Sequence, residues 1–154
     1  MSEIPLHTSA ISGVLLKREN ATSRMLLLKR KDAGYWCHIA GHLEAGETGW
    51  QAMLREFREE TGYAAMQLFS ADYIEQFYEP AANRIRLVPV FVAFWPQGQE
   101  LVLSGEHTEY RWCSLEEAKA LAKFPNQRAA YQHVWENFVM TSPDSLLLVK
   151  LQPE

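Results

Sequence analysis

The sequence is poor in cysteine: only Cys37 and Cys113 occur in 154 residues, with no C-x2-C pair and no Cys/His metal spacing. That excludes a disulfide scaffold and a zinc knuckle, and two free thiols fit a reducing, cytoplasmic setting. Long hydrophobic runs are missing too. The longest, Leu87 to Trp95, is interrupted by Pro89 and falls well short of the roughly 20 residues that a membrane span needs. No basic stretch followed by an apolar one opens the chain, so a secretory leader is not expected. Basic charge is in the minority, with 15 Lys+Arg against 19 Asp+Glu and a net charge of −4. Broad binding to a nucleic-acid polymer, which draws its affinity from Lys and Arg on phosphates, is therefore disfavoured. Repeats and Ser/Gly/Pro-rich linkers are also absent, so residues 1–154 read as a single domain. With 47% hydrophobic residues, a chain of this size builds a core without staples.

What is present alternates between strand and helix patterns. Ile11–Lys17 and Arg24–Arg30 read as strands joined by a polar turn, and 31–47 as a loop with glycines at 34, 41 and 46. Thr48–Thr61 carries Trp50, Met53, Leu54 and Phe57 at the spacing of one helix face, with Gly62 placed to stop it. Tyr73–Tyr78 and Arg84–Trp95 read as strands around a turn at 80–83, and Tyr110–Cys113 as another. Ser114 with Glu117 predicts a capped second helix, Asn126–Met140 a third, and Ser145–Leu151 a last strand. The irregular interleaving predicts an α+β fold with a mixed sheet between helices.

Glu56, Glu59 and Glu60 lie at i, i+3 and i+4 of the first helix, within a sector of about 100°. Three carboxylates in one sector repel one another unless a cation compensates, and hard oxygen donors of this kind suit Mg2+ or Mn2+. A solvated acidic face is the ordinary explanation for three glutamates alone. The surrounding spacing changes that. Gly41, five residues, Glu47, seven residues, then Arg55-Glu56-Phe57-Arg58-Glu59-Glu60-Thr61-Gly62-Tyr63 resembles the Nudix box, G-x5-E-x7-R-E-U-x-E-E-x-G-U, and all seven fixed letters match. Phe57 and Tyr63 are aromatic where the pattern has a bulky aliphatic, and Ile39-Ala40 stand where many members have Pro followed by Gly or Lys.

The resemblance implies an α/β/α sandwich with a mixed sheet and hydrolysis of a phosphoanhydride in a phosphorylated small-molecule substrate. It extends to Leu26–Arg30 with Tyr35-Trp36 upstream, and to Glu106–Trp112 downstream. By position it implies Glu56 and Glu60 as metal ligands, Glu59 and Glu106 as ligands or the water-activating base, and the Ala40 carbonyl as a further ligand. Glu47 and Arg55 correspond to the internal ion pair of the box. Metal ions lower the pKa of a bound water and clamp developing phosphate charge while a carboxylate takes the proton.

Substrate signals are weaker. Lys29 and Arg30 are the basic candidates for phosphate; alternation aims them at opposite faces, and Arg30 matches the family's arginine. Arg84 and Arg86 read as a solvated hairpin tip. Trp36, Phe77, Tyr78, Phe124 and Tyr131 are candidate stacking residues for which core packing is the default. His38, His42 and His107 flank the site without zinc-ligand spacing, and Cys37 reads as a packed thiol. Tyr35–Thr48 is similar to the dihydroneopterin triphosphate and dATP pyrophosphohydrolases, which makes release of pyrophosphate from a triphosphate the leading expectation. Leu103–Ala118 is similar to diadenosine tetraphosphate hydrolases, the alternative. A sensor of the same fold that binds nucleotide without turnover is the non-enzyme alternative. A monomer or a homodimer, with no membrane and no nucleic-acid partner, completes the expectation.

Overall fold

The computed structural model describes residues 1–151. Strands β1 (Leu6–His7), β2 (Ala10–Glu19), β3 (Thr22–Arg30), β4 (Trp36–Cys37) and β5 (Ile39–His42) precede helix α1 (Gly49–Thr61). Then come β6 (Phe69–Glu79), β7 (Arg84–Phe94), β8 (His107–Cys113), α2 (Leu115–Leu121) and α3 (Pro125–Phe138). One mixed sheet holds all the strands. β2 and β1 run parallel to β7 along one of its edges, β6 pairs antiparallel with β7, and β3 bridges β2 to β8. The expected mixed sheet between helices is therefore the observed fold. No helix among the described residues is long and apolar enough to cross a membrane.

Strand alternation sorts the core onto the two faces. Ile11, Leu15, Leu26 and Leu28 pack with Met53 and Phe57 of α1. Val14, Leu16, Met25 and Leu27 pack with Ala130, Tyr131, Val134 and Phe138 of α3. Helix α1 begins as its sequence dictates: Thr48 accepts from the Gln51 amide and donates its own N–H to the Gln51 side chain, and Gly62 closes the helix at φ 78°.

Three differences from the sequence reading have local causes. The segment read as a loop from 31 to 47 contains β4 and β5, whose two and four residues are too short to show a period. Ser145–Leu151, read as a strand, is a 3-10 turn at Ser145–Leu147 followed by a single bridge from Leu148 to Phe69. Its leucines are apolar without alternating burial, and Leu146 is exposed. The N-terminal β1, unforeseen, consists of two residues held by the edge of β7.

β2 changes partners along its length. Leu16–Glu19 pair with β3, whereas Ala10–Gly13 pair with β5, in the register Ile11 to Gly41 and Ser12 to Ala40. The sheet splits there, and a cavity of about 1020 Å3 opens at the split.

Candidate active site

The acidic end of the cavity is built by α1. Glu56 and Glu60 are only 9% and 5% exposed, so two of the three helix carboxylates are buried with the apolar face and Glu59 alone stays in solvent. Arg55 ties them together. Its Nε and Nη2 donate to the two oxygens of Glu47 at 2.6 and 3.1 Å, Nη1 donates to Glu56 at 2.9 Å and Glu59 at 3.2 Å, and Nη2 donates to the His42 carbonyl at 2.8 Å. One guanidinium thus fixes the loop against the helix by bidentate geometry. The Glu47 carboxyl is held below the usual range chiefly by its hydrogen bond from Arg55. Burial pushes the Glu56 carboxyl up, and Arg55 offsets only part of this.

The loop after β7 docks on the end of α1. Ser104 Oγ donates to Glu60 Oε2 at 2.7 Å, and the Ser104 and Val102 amides donate to the Glu60 and Thr61 carbonyls. His107 Nδ1 lies 2.7 Å from the same Glu60 oxygen but off hydrogen-bond alignment, leaving that nitrogen without a directed partner. This is a close electrostatic approach. Burial raises the Glu60 pKa, but His107 and Ser104 outweigh it and the net direction is down. The side chain of Glu106 also reaches Glu60, and its backbone carbonyl accepts from Lys31 N–H. A residue 46 positions from Glu60 in sequence (106 − 60) is thereby carried to the helix acids.

A divalent cation must fit these residues for the carboxylates to hold one. Among the described residues no three of His, Cys, Asp and Glu converge into a ready metal cluster. The donor chemistry nevertheless fits a hard dication. Glu56, Glu59, Glu60 and Glu106 line one cavity and offer it carboxylate oxygens, the donors that Mg2+ and Mn2+ take. Ala40 is exposed at the same rim, one residue before Gly41, where Glu56 packs against the backbone.

The basic candidates separate. Arg30 lines the cavity, with Nε and Nη2 on Asp32 at 3.1 and 3.2 Å. Lys29 is not a cavity residue: it pairs with Glu109 at 3.3 Å on the adjacent β8, because alternation turns it to the other face. Its expected contact with phosphate is corrected accordingly. Arg86, read as part of a solvated tip, instead lines the cavity, half-buried, with Nη2 at 3.3 Å from His42 Nε2 and Nε sealed without a partner. Arg84 is held by Glu79 at 2.6 Å.

The aromatics divide as well. Tyr131 is wholly buried, as the default had it, whereas Phe77, Tyr78 and Phe124 are exposed at the cavity, and Tyr35 meets Phe124 edge to face at 6.0 Å. Trp36 packs half-buried on the α3-side core under Arg111. Cys37 is a packed thiol whose pKa burial pushes up to about 11. Sequence reasoning placed His38 beside the site but missed its buried partners, Ser12 and Glu75. The available signal was a glutamate between Tyr73 and Phe77 on one face of β6.

Known proteins resemble the chain over most of its length. The NUDIX domain matches residues 6–134. The asymmetrical bis(5'-nucleosyl)-tetraphosphatase of Mus musculus is 37% identical over 133 residues, covering 82% of this chain and 88% of that protein. The dihydroneopterin triphosphate diphosphatase of Escherichia coli K12 is 31% identical over 128 residues, covering 73% and 84%. The crystal structure of a C. elegans Ap4A hydrolase binary complex superposes with a TM-score of 0.74 at 26% identity, over 85% of this chain and 96% of that one. With the domain matched over most of its length and relatives of this identity, the chain belongs to the Nudix family and is a hydrolase of the pyrophosphatase type.

Proposed function

We propose that the enzyme is a divalent-cation-dependent pyrophosphohydrolase that cleaves a nucleoside triphosphate or dihydroneopterin triphosphate to the monophosphate and pyrophosphate. The observation that carries this reading is one cavity lined both by Glu56, Glu59, Glu60 and Glu106 and by half-buried Tyr35 with exposed Phe77 and Phe124. A ring with a phosphate chain matches that lining. In this reading Glu56 and Glu60 hold Mg2+ or Mn2+ with help from Glu59, Glu106 and the Ala40 carbonyl, and Glu47 and Arg55 brace the loop. A bound dication supplies positive charge on the phosphates and lowers the pKa of a bound water. Glu59 or Glu106, the two exposed acids, accepts the proton of the attacking water. The water oxygen bonds to phosphorus as the anhydride P–O bond breaks, and the electron pair leaves with pyrophosphate. Arg30 and Arg86 supply fixed positive charge along the phosphate path.

A second reading, asymmetric cleavage of a dinucleoside tetraphosphate, is favoured by the 37% identity to the mouse tetraphosphatase. The deciding experiment incubates the protein with dihydroneopterin triphosphate, GTP, dATP or diadenosine tetraphosphate in Mg2+, with EDTA controls and chromatographic identification of products. Monophosphate and pyrophosphate from the triphosphates support the first reading. Formation of ATP and AMP from diadenosine tetraphosphate, with inert triphosphates, replaces it with the second. Turnover undiminished in EDTA refutes metal dependence.

A further inference from the structure

Below the aromatic mouth lies a polar group that the hydrolytic chemistry does not use. Ser12, His38 and Glu75 are 1%, 4% and 7% exposed. Ser12 Oγ donates to Glu75 Oε1 at 2.9 Å, and His38 Nε2 lies 2.6 Å from the same oxygen. Tyr131, buried behind them, accepts the His38 backbone N–H at 3.2 Å, and its hydroxyl lies 2.9 Å from His38 Nδ1 with the rings edge to face. In the tautomer in which Tyr131 Oη donates to Nδ1, Nε2 carries the ring hydrogen and donates it to Glu75; a doubly protonated ring donates to Glu75 as well.

Both protein hydrogen bonds therefore fall on one oxygen of Glu75. Oε2 has no partner among the described residues, yet it is not one of their sealed, partnerless polar atoms, which are His7 Nδ1, Arg86 Nε and His107 Nδ1. Glu75 lines the cavity, so Oε2 is its acceptor. Open to the cavity, Oε2 is free to accept from a ligand while Oε1 is held by the protein. Phe77 follows Glu75 at i+2 on the same face of β6, and Val88, opposite Glu75 on β7, also lines the cavity. A flat ring lying along Phe77 and Val88 would bring its edge to Oε2.

We infer that Glu75, held by Ser12 and His38, is a specificity-determining residue that reads the adjacent N–H and NH2 donors of a 2-amino-4-oxo heterocycle, the edge shared by guanine and pterin. An ionised carboxylate only accepts, and the two free lone pairs of Oε2 match two neighbouring donors. Adenine and cytosine offer one amino group beside an acceptor nitrogen, and thymine one N–H between two carbonyls, so each sets an acceptor against the carboxylate. This inference rests on the reading that the cavity takes the ring of a phosphorylated substrate, and it selects among such substrates.

The test compares kcat/KM for GTP, dihydroneopterin triphosphate and ATP in wild type, Glu75→Gln and Ser12→Ala. A parallel arm measures binding of GMP, neopterin and AMP calorimetrically without metal. Wild type should favour guanine and pterin over adenine by about tenfold or more, chiefly through KM. Glu75→Gln keeps an oxygen for Ser12 and His38 but presents an amide donor to the cavity, and should collapse the ratio towards one. Ser12→Ala, a milder change that frees Oε1, should narrow it. Equal use of ATP and GTP by wild type overturns the inference. So does an unchanged ratio in folded Glu75→Gln, or in Ser12→Ala if the first variant does not fold. If no substrate turns over, the hydrolytic reading fails by itself, and GMP binding no tighter than AMP then overturns the edge reading independently. Preference for GTP over dihydroneopterin triphosphate, or the reverse, identifies which ring of this class is the natural one.

Discussion

Replacing Gly41 by alanine should cost activity far more than stability. Gly41 sits in β5 opposite Ile11, and the built position of an added Cβ is 2.7 Å from Glu56 Cγ, with the carboxyl carbon nearer still. Carbon atoms rest at about 3.5 Å, so Glu56 must retreat by about 0.8 Å at Cγ and by more at the carboxyl. Retreat loosens the 2.9 Å bond from Arg55 Nη1 and moves one proposed metal ligand. A misplacement near 1 Å at a reacting centre costs about 10²-fold in rate. The fold should tolerate the change, because the displaced atoms end a flexible side chain and the overpacking penalty falls near the bottom of its range of about 1–3 kcal/mol.

Gly13→Ala supplies the contrast. Its added Cβ would meet Met53 Sδ at 2.6 Å and Phe57 Cζ at 2.7 Å, both in the core beneath α1. Neither can retreat into solvent, so the penalty should reach the upper part of the range of about 1–3 kcal/mol. For a domain of this size each kcal/mol lowers Tm by about 2–4 °C. Thermal melts paired with hydrolysis at saturating Mg2+ decide the matter. Gly41→Ala retaining kcat/KM within about threefold of wild type would show that Glu56 need not occupy its observed position, and would refute the reasoning.

The remaining predictions concern single side chains. Glu60→Gln should cut Mg2+-dependent turnover by about 10²-fold or more with little change in the melt; wild-type turnover removes Glu60 from the site. Arg55→Ala should lower both Tm and activity, since Glu47, Glu56 and Glu59 lose a common partner, and an unchanged Tm argues against a bracing role. Glu106→Gln should depress kcat more than KM, whereas Glu109→Gln, paired outside the cavity with Lys29, should not; equal values for the two variants dismiss Glu106. Burial raises the Glu75 pKa, but His38 and Ser12 outweigh it and hold the pKa below the usual range. Its stabilisation is thus complete above the unfolded glutamate value near about 4.3 and lost as pH falls through the native value. The Tm gap between wild type and Glu75→Gln should therefore narrow below about pH 4, and a gap constant from pH 7 to 3 contradicts that linkage.

What the sequence disclosed was local. Helix α1 carries its cap, its apolar stripe and its stop within 15 residues, from Thr48 to Gly62, and each signal acts over a few positions. Glu47 and Arg55 are eight apart and meet as the spacing implied. Ser12, His38, Glu75 and Tyr131 are separated by 37 to 93 residues in their contacts, and no periodicity reports an encounter made by the sheet order. Arg86 was hidden for the same reason. Its neighbours in sequence describe a hairpin tip, but β1 and β5 bring His7 and His42 towards it.

The cavity combines two chemistries because β2 is read on both faces at the point where the sheet splits. Ile11 and Gly13 face α1, and their β5 partners Gly41 and Ile39 share that face, so Gly41 lies against Glu56. Ser12 faces the other way with Ala40 opposite it, towards Glu75, His38 and Tyr131. The carboxylates of the helix and the polar floor under the aromatic mouth thus lie on opposite faces, and only the parting of β5 from β3 opens one cavity to both. A one-residue slip of β5 against β2 would exchange the faces, putting Ala40 where Glu56 now packs against a glycine. The four-residue register of β5 therefore sets which face meets the phosphate chain and which meets the ring, and it explains why a strand too short to recognise in the sequence positions the whole site.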